Sequence, residues 1–85
     1  MRYRLVIGRE AERAIRLMDR PIARRVLSRI QHLASEPKPR SAIKLVGRSH
    51  EYRIRVGRYR IVYSVDDSAR EVRIHFVRHR KDAYR

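Results

Sequence analysis

The stretch that decides the fold reads YRIRVGRYRIVY and occupies residues 52–63. Apolar and basic side chains alternate on both sides of Gly57, the period of two that is typical of a half-buried strand. A two-residue loop of Gly57 and Arg58, with glycine in first place, favours a type II′ hairpin turn. This turn fixes the strand register and places Arg55 directly opposite Arg60.

The register separates the hairpin into two faces of opposite character. One face is apolar and suits packing against helices, with Tyr52, Ile54, Val56, Ile61 and Tyr63. The other face collects Arg53, Arg55 and Arg60. Like charges directly opposite each other destabilise a strand pair, and an anion between Arg55 and Arg60 would remove that cost. A solvated sheet face also carries charged residues that have no function, so the pattern alone leaves a functional and a purely structural explanation of these arginines equally open.

The segments before the hairpin predict one strand and two helices. Residues 3–7 alternate in a first strand. Apolar residues at helical spacing predict a helix over 11–18 and a second over 22–34. Asp19 and Pro21 mark the stop and restart between these helices, because Asp caps helices and Pro is tolerated in a first turn.

A connector and a last strand complete the chain. Residues 41–46 leave Ile43 and Leu45 available to the core. In the last strand Val72, Ile74 and Phe76 alternate with Arg73, His75 and Val77. The order β-α-α-β-β-β predicts an α+β fold, a single domain over 1–85 in which two N-terminal helices pack on one face of a small antiparallel sheet.

Composition limits the classes of function. Eighty-five residues leave no room for a cleft between two lobes. With 23 Lys and Arg against 9 Asp and Glu, the formal charge of +14 attracts phosphate polymers or an acidic protein. The chain has no cysteine, which excludes disulfides and thiolate metal sites. No apolar run approaches the roughly 20 residues of a membrane span, and no signal-peptide core is evident, so we expect a cytoplasmic protein without membrane contact.

The chain ends in a basic segment, VRHRKDAYR at residues 77–85. A disordered basic tail would explain its charges, but Tyr84 is unusual there because aromatic residues are scarce in disordered segments. Histidine side chains change charge near neutral pH, so His79 is the residue of this segment best suited by type to general acid or base catalysis. It equally suits a purely structural hydrogen bond. No glycine-rich phosphate loop, metal-ligand motif or carboxylate cluster appears, and we expect neither a cofactor nor a metal.

Three motifs in order resemble the RelE branch of the RelE/ParE toxin superfamily. They are the hairpin string at 52–63, the upstream segment KLVG at 44–47 and the ending HRKDAY at 79–84. The helix pair, the proline-marked break and the three closing strands also fall where that family has them. The resemblance implies the toxin of a type II toxin-antitoxin pair, a ribosome-dependent endoribonuclease that cuts mRNA through its 2′-hydroxyl without a metal.

The resemblance also implies which residues act on the RNA. The family holds the mRNA backbone on a basic concave sheet face and places Lys where this chain has Arg53 and Arg55. Arginine stays protonated, which weakens a proton-abstracting role at these two positions. The catalytic candidates are Arg55, Arg60, Arg80, Tyr84 and, chosen for its pKa, His79. The RNA-binding candidates are Lys44, Arg53, Arg73, Arg78 and Lys81.

Their expected roles follow from the reaction. Arg55 and Arg60 suit stabilisation of the charge on a phosphoryl centre. Arg80 suits the same role or donation to the leaving oxygen. Tyr84 suits stacking on a displaced base or assistance to proton transfer.

The expected partners are a cognate antitoxin, the ribosome and mRNA, with operator DNA bound through the antitoxin in a hetero-oligomer. Two alternatives stay open. A ParE-like toxin would have the same fold but act on DNA gyrase, and would not need Arg55, Arg60, Arg80 and Tyr84. A noncatalytic nucleic-acid-binding module would need only the basic face.

Overall fold

Two helices pack against a five-stranded sheet in the computed structural model, which describes residues 2–81. In chain order the elements are β1 (Arg4–Ile7), α1 (Arg9–Arg16), α2 (Arg20–His32), β2 (Ile43–Lys44), β3 (Glu51–Val56), β4 (Tyr59–Asp66) and β5 (Glu71–His79). The strand order across the sheet is β1-β5-β4-β3-β2. The predicted α+β architecture is confirmed.

The central hairpin of β3 and β4 has the predicted register. Arg55 pairs with Arg60, and Tyr52 pairs with Tyr63. The turn between the strands has Gly57 at φ +57°, the left-handed conformation that the first position of a type II′ turn requires. The alternation on either side of this turn therefore sends arginines and apolar residues to opposite faces.

The sheet is mixed, whereas the sequence was expected to form an antiparallel one. β2 to β5 are antiparallel neighbours, but β1 runs parallel to β5, with Leu5 opposite Val72 and Ile7 opposite Ile74. The helices carry the chain from β1 to the far edge of the sheet, and the later strands return to β1. An alternating pattern shows which face is buried but not the direction of the neighbouring strand.

The connector contributes the edge strand β2, which corrects the expectation for Ile43. Ile43 pairs with Arg53 and therefore shares the face of the arginines. Its side chain is 52% exposed. The expectation that Ile43 enters the core is wrong, because pairing at the sheet edge turned this residue away from the helices.

The core lies between the helices and the apolar sheet face. Its buried members include Ala11, Val26, Ile30, Leu33, Ile54, Ile61, Tyr63, Val65, Val72, Ile74 and Val77. The Tyr63 hydroxyl donates a hydrogen bond of 2.8 Å to the Pro37 carbonyl oxygen, and burial raises the pKa of Tyr63. The core thus uses one face of the sheet, and the arginine-bearing face remains uncovered by the helices.

Glycine is needed where β1 turns into α1. The Gly8 N–H donates to the Ile74 carbonyl oxygen at 2.8 Å. A Cβ atom built on Gly8 would lie 2.8 Å from that same oxygen. Only glycine allows the backbone of this turn to approach β5 so closely.

A bulge in β5 changes which side chains reach the arginine face. Tyr63 pairs with Ile74, but its neighbour Val62 pairs with Phe76, so His75 is an extra residue in β5. The expected alternation placed Phe76 on the core face with Val72 and Ile74. The bulge instead turns Phe76 outward and buries Val77, which is 3% exposed.

Candidate active site

Three arginines lie abreast on the sheet face that points away from the helices, called here the outer face. Arg60, on β4, pairs with Arg55 of β3 on one side and with Arg78 of β5 on the other. Side chains of paired residues share a face, with Cβ atoms about 5 Å apart. Arginine side chains this close together suit the binding of an anion.

A small pocket at the hairpin end of the outer face joins three of the predicted catalytic residues. It has a volume of about 160 Å³ and is lined by Arg55, Gly57, Arg58, Tyr59, Arg60 and Arg80. The Arg80 N–H donates to the Arg58 carbonyl oxygen at 2.6 Å, which ties the end of β5 to the hairpin turn. Within residues 2–81, no ion pair joins Arg55 or Arg80 to a carboxylate. This guanidinium pocket therefore suits a phosphoryl group.

Arg78 belongs to the row but is held outside the guanidinium pocket. Its Nη2 atom lies 3.1 Å from Oε1 of Glu10, on α1. Its guanidinium carbon lies 3.9 Å from the centroid of the Phe76 ring. Arg78 is thus fixed by an ion pair at one edge and by an aromatic ring at one face.

His79 lies on the other side of the sheet. It pairs with Tyr59, and the two rings meet edge to face with centroids 5.3 Å apart. Its Nδ1 atom accepts a hydrogen bond of 3.2 Å from the Lys81 N–H. The structure does not bring His79 into the guanidinium pocket with Arg55 and Arg60.

The predicted RNA-binding residues fall into two groups. Arg53 and Arg73 share the outer face, and Arg73 pairs with Glu71 at 3.2 Å. Lys44 pairs with Tyr52 on β3 and so lies on the helix side of the sheet edge. The outer face therefore gathers the arginines but not Lys44.

The last predicted residues lie at the end of β5. Lys81 is exposed and lines a shallow surface pocket together with Arg58, His79 and Arg80. Tyr84 lies outside the described residues.

Two residues at the outer face were not predicted from the sequence. Phe76 is half-buried on this face because of the bulge, and Glu10 reaches it from α1. The adjacent apolar pair Phe76 and Val77 interrupts the alternation of β5, and this interruption is the signal that could have shown the bulge. No local pattern indicates the ion pair of Glu10 with Arg78.

The acidic pair Asp66 and Asp67 lies where β4 ends and the loop to β5 begins, at the other end of β4 from the guanidinium pocket. Oδ1 of Asp66 accepts the Ala69 N–H at 3.0 Å, which shapes the loop. The Asp67 carboxylate accepts hydrogen bonds from Lys38 at 2.8 Å and from the Tyr3 hydroxyl at 2.7 Å. These bonds hold the pKa of Asp67 below its ordinary value. Both carboxylates therefore hold the loop in its conformation through these hydrogen bonds.

Two further features concern the part of the chain that the structure describes. No group of three or more His, Cys, Asp or Glu side chains there could hold a metal ion. No helix of residues 2–81 is both long and apolar enough to cross a membrane.

Comparisons with known proteins give one family and one fold. The family model described as the ParE toxin of the type II toxin-antitoxin system parDE matches residues 5–84. None of the curated proteins matches the sequence. A chain of the archaeal RelE-RelB complex from Pyrococcus horikoshii OT3 is similar at 33% identity and a TM-score of 0.84, with 94% of this chain and 97% of that chain covered.

Two further solved structures are similar. A chain of the toxin-antitoxin complex RelBE2 from Mycobacterium tuberculosis has 27% identity and a TM-score of 0.81, covering 94% of this chain and 100% of that one. A mutant of the E. coli toxin RelE in the free state has 22% identity and a TM-score of 0.82, covering 99% and 90%. At that identity the E. coli chain shows the fold alone.

Proposed function

The chain belongs to the ParE toxin family of type II toxin-antitoxin systems, and we propose that this toxin is a ribosome-dependent endoribonuclease that cleaves mRNA. The observation that carries the proposal is the guanidinium pocket, where Arg55, Arg60 and Arg80 converge. The arginines that line this small pocket are permanent cations, which match the charge of a phosphoryl group during transfer. The similarity to a chain of the P. horikoshii RelE-RelB complex supports a toxin of the RelE kind.

The proposed reaction needs no group from outside the RNA and the protein. The 2′-oxygen attacks the neighbouring phosphorus, the bond from phosphorus to the 5′-oxygen breaks, and a proton passes to the departing 5′-oxygen. The products are a 2′,3′-cyclic phosphate and a 5′-hydroxyl end. Arg55 and Arg60 stabilise the negative charge that builds on the phosphoryl oxygens. Arg80 stabilises the same charge or donates its hydrogen bond to the leaving oxygen.

Arginine does not accept the proton that the 2′-hydroxyl loses, because it stays protonated at neutral pH. The arginine side chains that line the guanidinium pocket supply charge and position. Tyr84 keeps its proposed role of stacking on a base or assisting proton transfer. His79 would need to move from the helix side to take part.

Inhibition of DNA gyrase is the second candidate function. The family model for ParE toxins matches residues 5–84 of this chain, nearly its whole length, and this match favours the gyrase function. This function gives no role to the guanidinium pocket, and for that reason we place it second.

Two assays on the same purified toxin separate the candidates. We expect the toxin to cleave mRNA on translating ribosomes and to leave gyrase supercoiling unchanged. Arg60→Ala should lose cleavage, whereas Arg24→Ala removes one exposed positive charge from α2 and should retain it. Inhibition of supercoiling without mRNA cleavage would refute the endoribonuclease and support gyrase as the target.

We propose a cognate antitoxin as the protein partner. The similar P. horikoshii and M. tuberculosis chains come from toxin-antitoxin complexes, and a charge of +14 suits an acidic partner segment. A partner that binds only the folded toxin raises its melting temperature. We expect that rise on mixing with the product of a neighbouring acidic reading frame, together with loss of cleavage. A partner that raises the melting temperature but leaves cleavage intact would not be the antitoxin. Binding of operator DNA through the antitoxin stays a prediction.

A further inference from the structure

Within residues 2–81, the outer face carries one phenyl ring, that of Phe76, among its arginines. The bulge at His75 turns Phe76 to this face, opposite Val62 of β4. Val62 is only 6% exposed although it faces outward, and Phe76 is its cross-strand neighbour on β5. The Phe76 ring therefore lies beside a buried side chain of the sheet.

The Arg78 guanidinium lies over the Phe76 ring. Its guanidinium carbon is 3.9 Å from the Phe76 centroid, and its Nη2 is 3.1 Å from Oε1 of Glu10. The Arg78 side chain is still 41% exposed. With one face on a ring and one edge on a carboxylate, the surface left to solvent is the second face of the guanidinium plane.

This geometry distinguishes Arg78 from the arginines of the guanidinium pocket. The Glu10 carboxylate already compensates its charge, so Arg78 has less to offer a phosphate than Arg55 or Arg80. A planar guanidinium stacks on aromatic rings and on nucleobases alike. Arg78 also lies directly opposite Arg60, and Cβ atoms of such a pair are about 5 Å apart. One nucleotide can therefore place its phosphate in the pocket and its base on Arg78.

We propose that Phe76 and Arg78 form a stacking shelf for an unpaired nucleobase beside the guanidinium pocket. The base lies on the solvent face of the Arg78 guanidinium, the guanidinium lies on the Phe76 ring, and Glu10 holds the plane in position. The shelf deepens the proposed function, since it describes how the same face holds a base of the RNA whose phosphate enters the pocket.

The test is equilibrium binding of short unpaired RNA to the full chain at low salt, without ribosomes. The RNA is used intact and with an abasic nucleotide at each position in turn. For the native chain, one abasic position should weaken binding by at least about fivefold, the lower end for base stacking. Arg78→Lys keeps the charge but removes the plane, and should abolish this penalty while leaving the salt dependence unchanged.

Arg16→Lys is the matched control. Arg16 also pairs with a glutamate, Glu12, at 2.7 Å, but it is an exposed residue at the end of α1 and does not belong to the outer face. This variant should keep the abasic penalty of the native chain. Phe76→Leu should reduce the penalty, and thermal melts establish that each variant is folded.

Several outcomes would overturn the shelf. These are an abasic penalty that survives in Arg78→Lys, equal binding of every abasic RNA, or no RNA binding at low salt. A change in salt slope of about one on Arg78→Ala, with the abasic penalty intact, would make Arg78 an ordinary phosphate contact. The assay requires no cleavage, so a base-dependent shelf on a toxin that leaves ribosome-bound mRNA intact would refute the proposed function alone.

Discussion

Replacing Arg55 with alanine should separate stability from activity, because this exposed side chain faces a like charge. Arg55 lies opposite Arg60 across the hairpin, and residues 2–81 hold no carboxylate paired with it. Relief of a directly opposed like-charge pair contributes about 0.2–1 kcal/mol. The lower strand propensity of alanine offsets part of this gain. We expect the free energy of unfolding of Arg55→Ala to be unchanged or higher by less than about 1 kcal/mol.

The same variant should lose most of its catalytic rate. Arg55 is one of the four arginines that line the pocket. Loss of one preorganised donor to a developing negative charge costs about 2.7–4 kcal/mol, or roughly 10²–10³ in rate. Single-turnover cleavage of mRNA on ribosomes, with toxin in excess, measures this step, and chemical denaturation measures the stability.

Arg24→Ala is the control, since it removes the same unit of charge from the exposed surface of α2. Its cleavage rate should match that of the native chain. A catalytic role for Arg55 would be refuted if the free energy of unfolding of Arg55→Ala fell by more than about 1 kcal/mol while its cleavage rate per folded molecule stayed unchanged. That result would make Arg55 a structural residue.

Three other perturbations test separate parts of the structure. Gly8→Ala should lower the free energy of unfolding by about 1–3 kcal/mol, because its Cβ would lie 2.8 Å from the Ile74 carbonyl oxygen; unchanged denaturation would show that β1 can shift. Hydrogen bonds from Lys38 and Tyr3 lower the pKa of Asp67 from the ordinary 3.8. The ionised carboxylate therefore stabilises the fold above pH 3.8, and this stabilisation is lost as the pH falls through the lower pKa that Asp67 has in the folded protein. The melting temperature should therefore fall less steeply below that pH in Asp67→Asn than in the native chain, and equal slopes would contradict the assignment. Binding to ribosomes should weaken steeply as salt rises, because a chain of charge +14 releases counterions from RNA; an affinity independent of salt would exclude this electrostatic account.

The sequence was sufficient for the features that local rules control. A two-residue turn allows only one register, so Gly57 determined that Arg55 and Arg60 are opposite each other. Helical spacing of apolar residues likewise indicated α1 and α2. The convergence of Arg55, Arg60 and Arg80 was expected from the family resemblance, because Arg80 is distant in sequence from the hairpin.

Features that depend on tertiary pairing could not be predicted. The parallel direction of β1 depends on where the helices deliver the chain. The outward position of Phe76 depends on the bulge at His75, which a strict alternation does not contain. His79 was chosen for its pKa, and the strand pairing that places it beside Tyr59 lies beyond any local pattern.

The most direct test of the account compares two mRNAs that differ at a single ribose on the ribosome. One carries the ordinary 2′-hydroxyl at the cleaved position, and the other carries a 2′-deoxy ribose there. We predict that the toxin cleaves the first and leaves a 2′,3′-cyclic phosphate and a 5′-hydroxyl, while the second stays intact. Cleavage of both mRNAs, or of neither, would contradict the claim that the guanidinium pocket promotes attack by the 2′-hydroxyl.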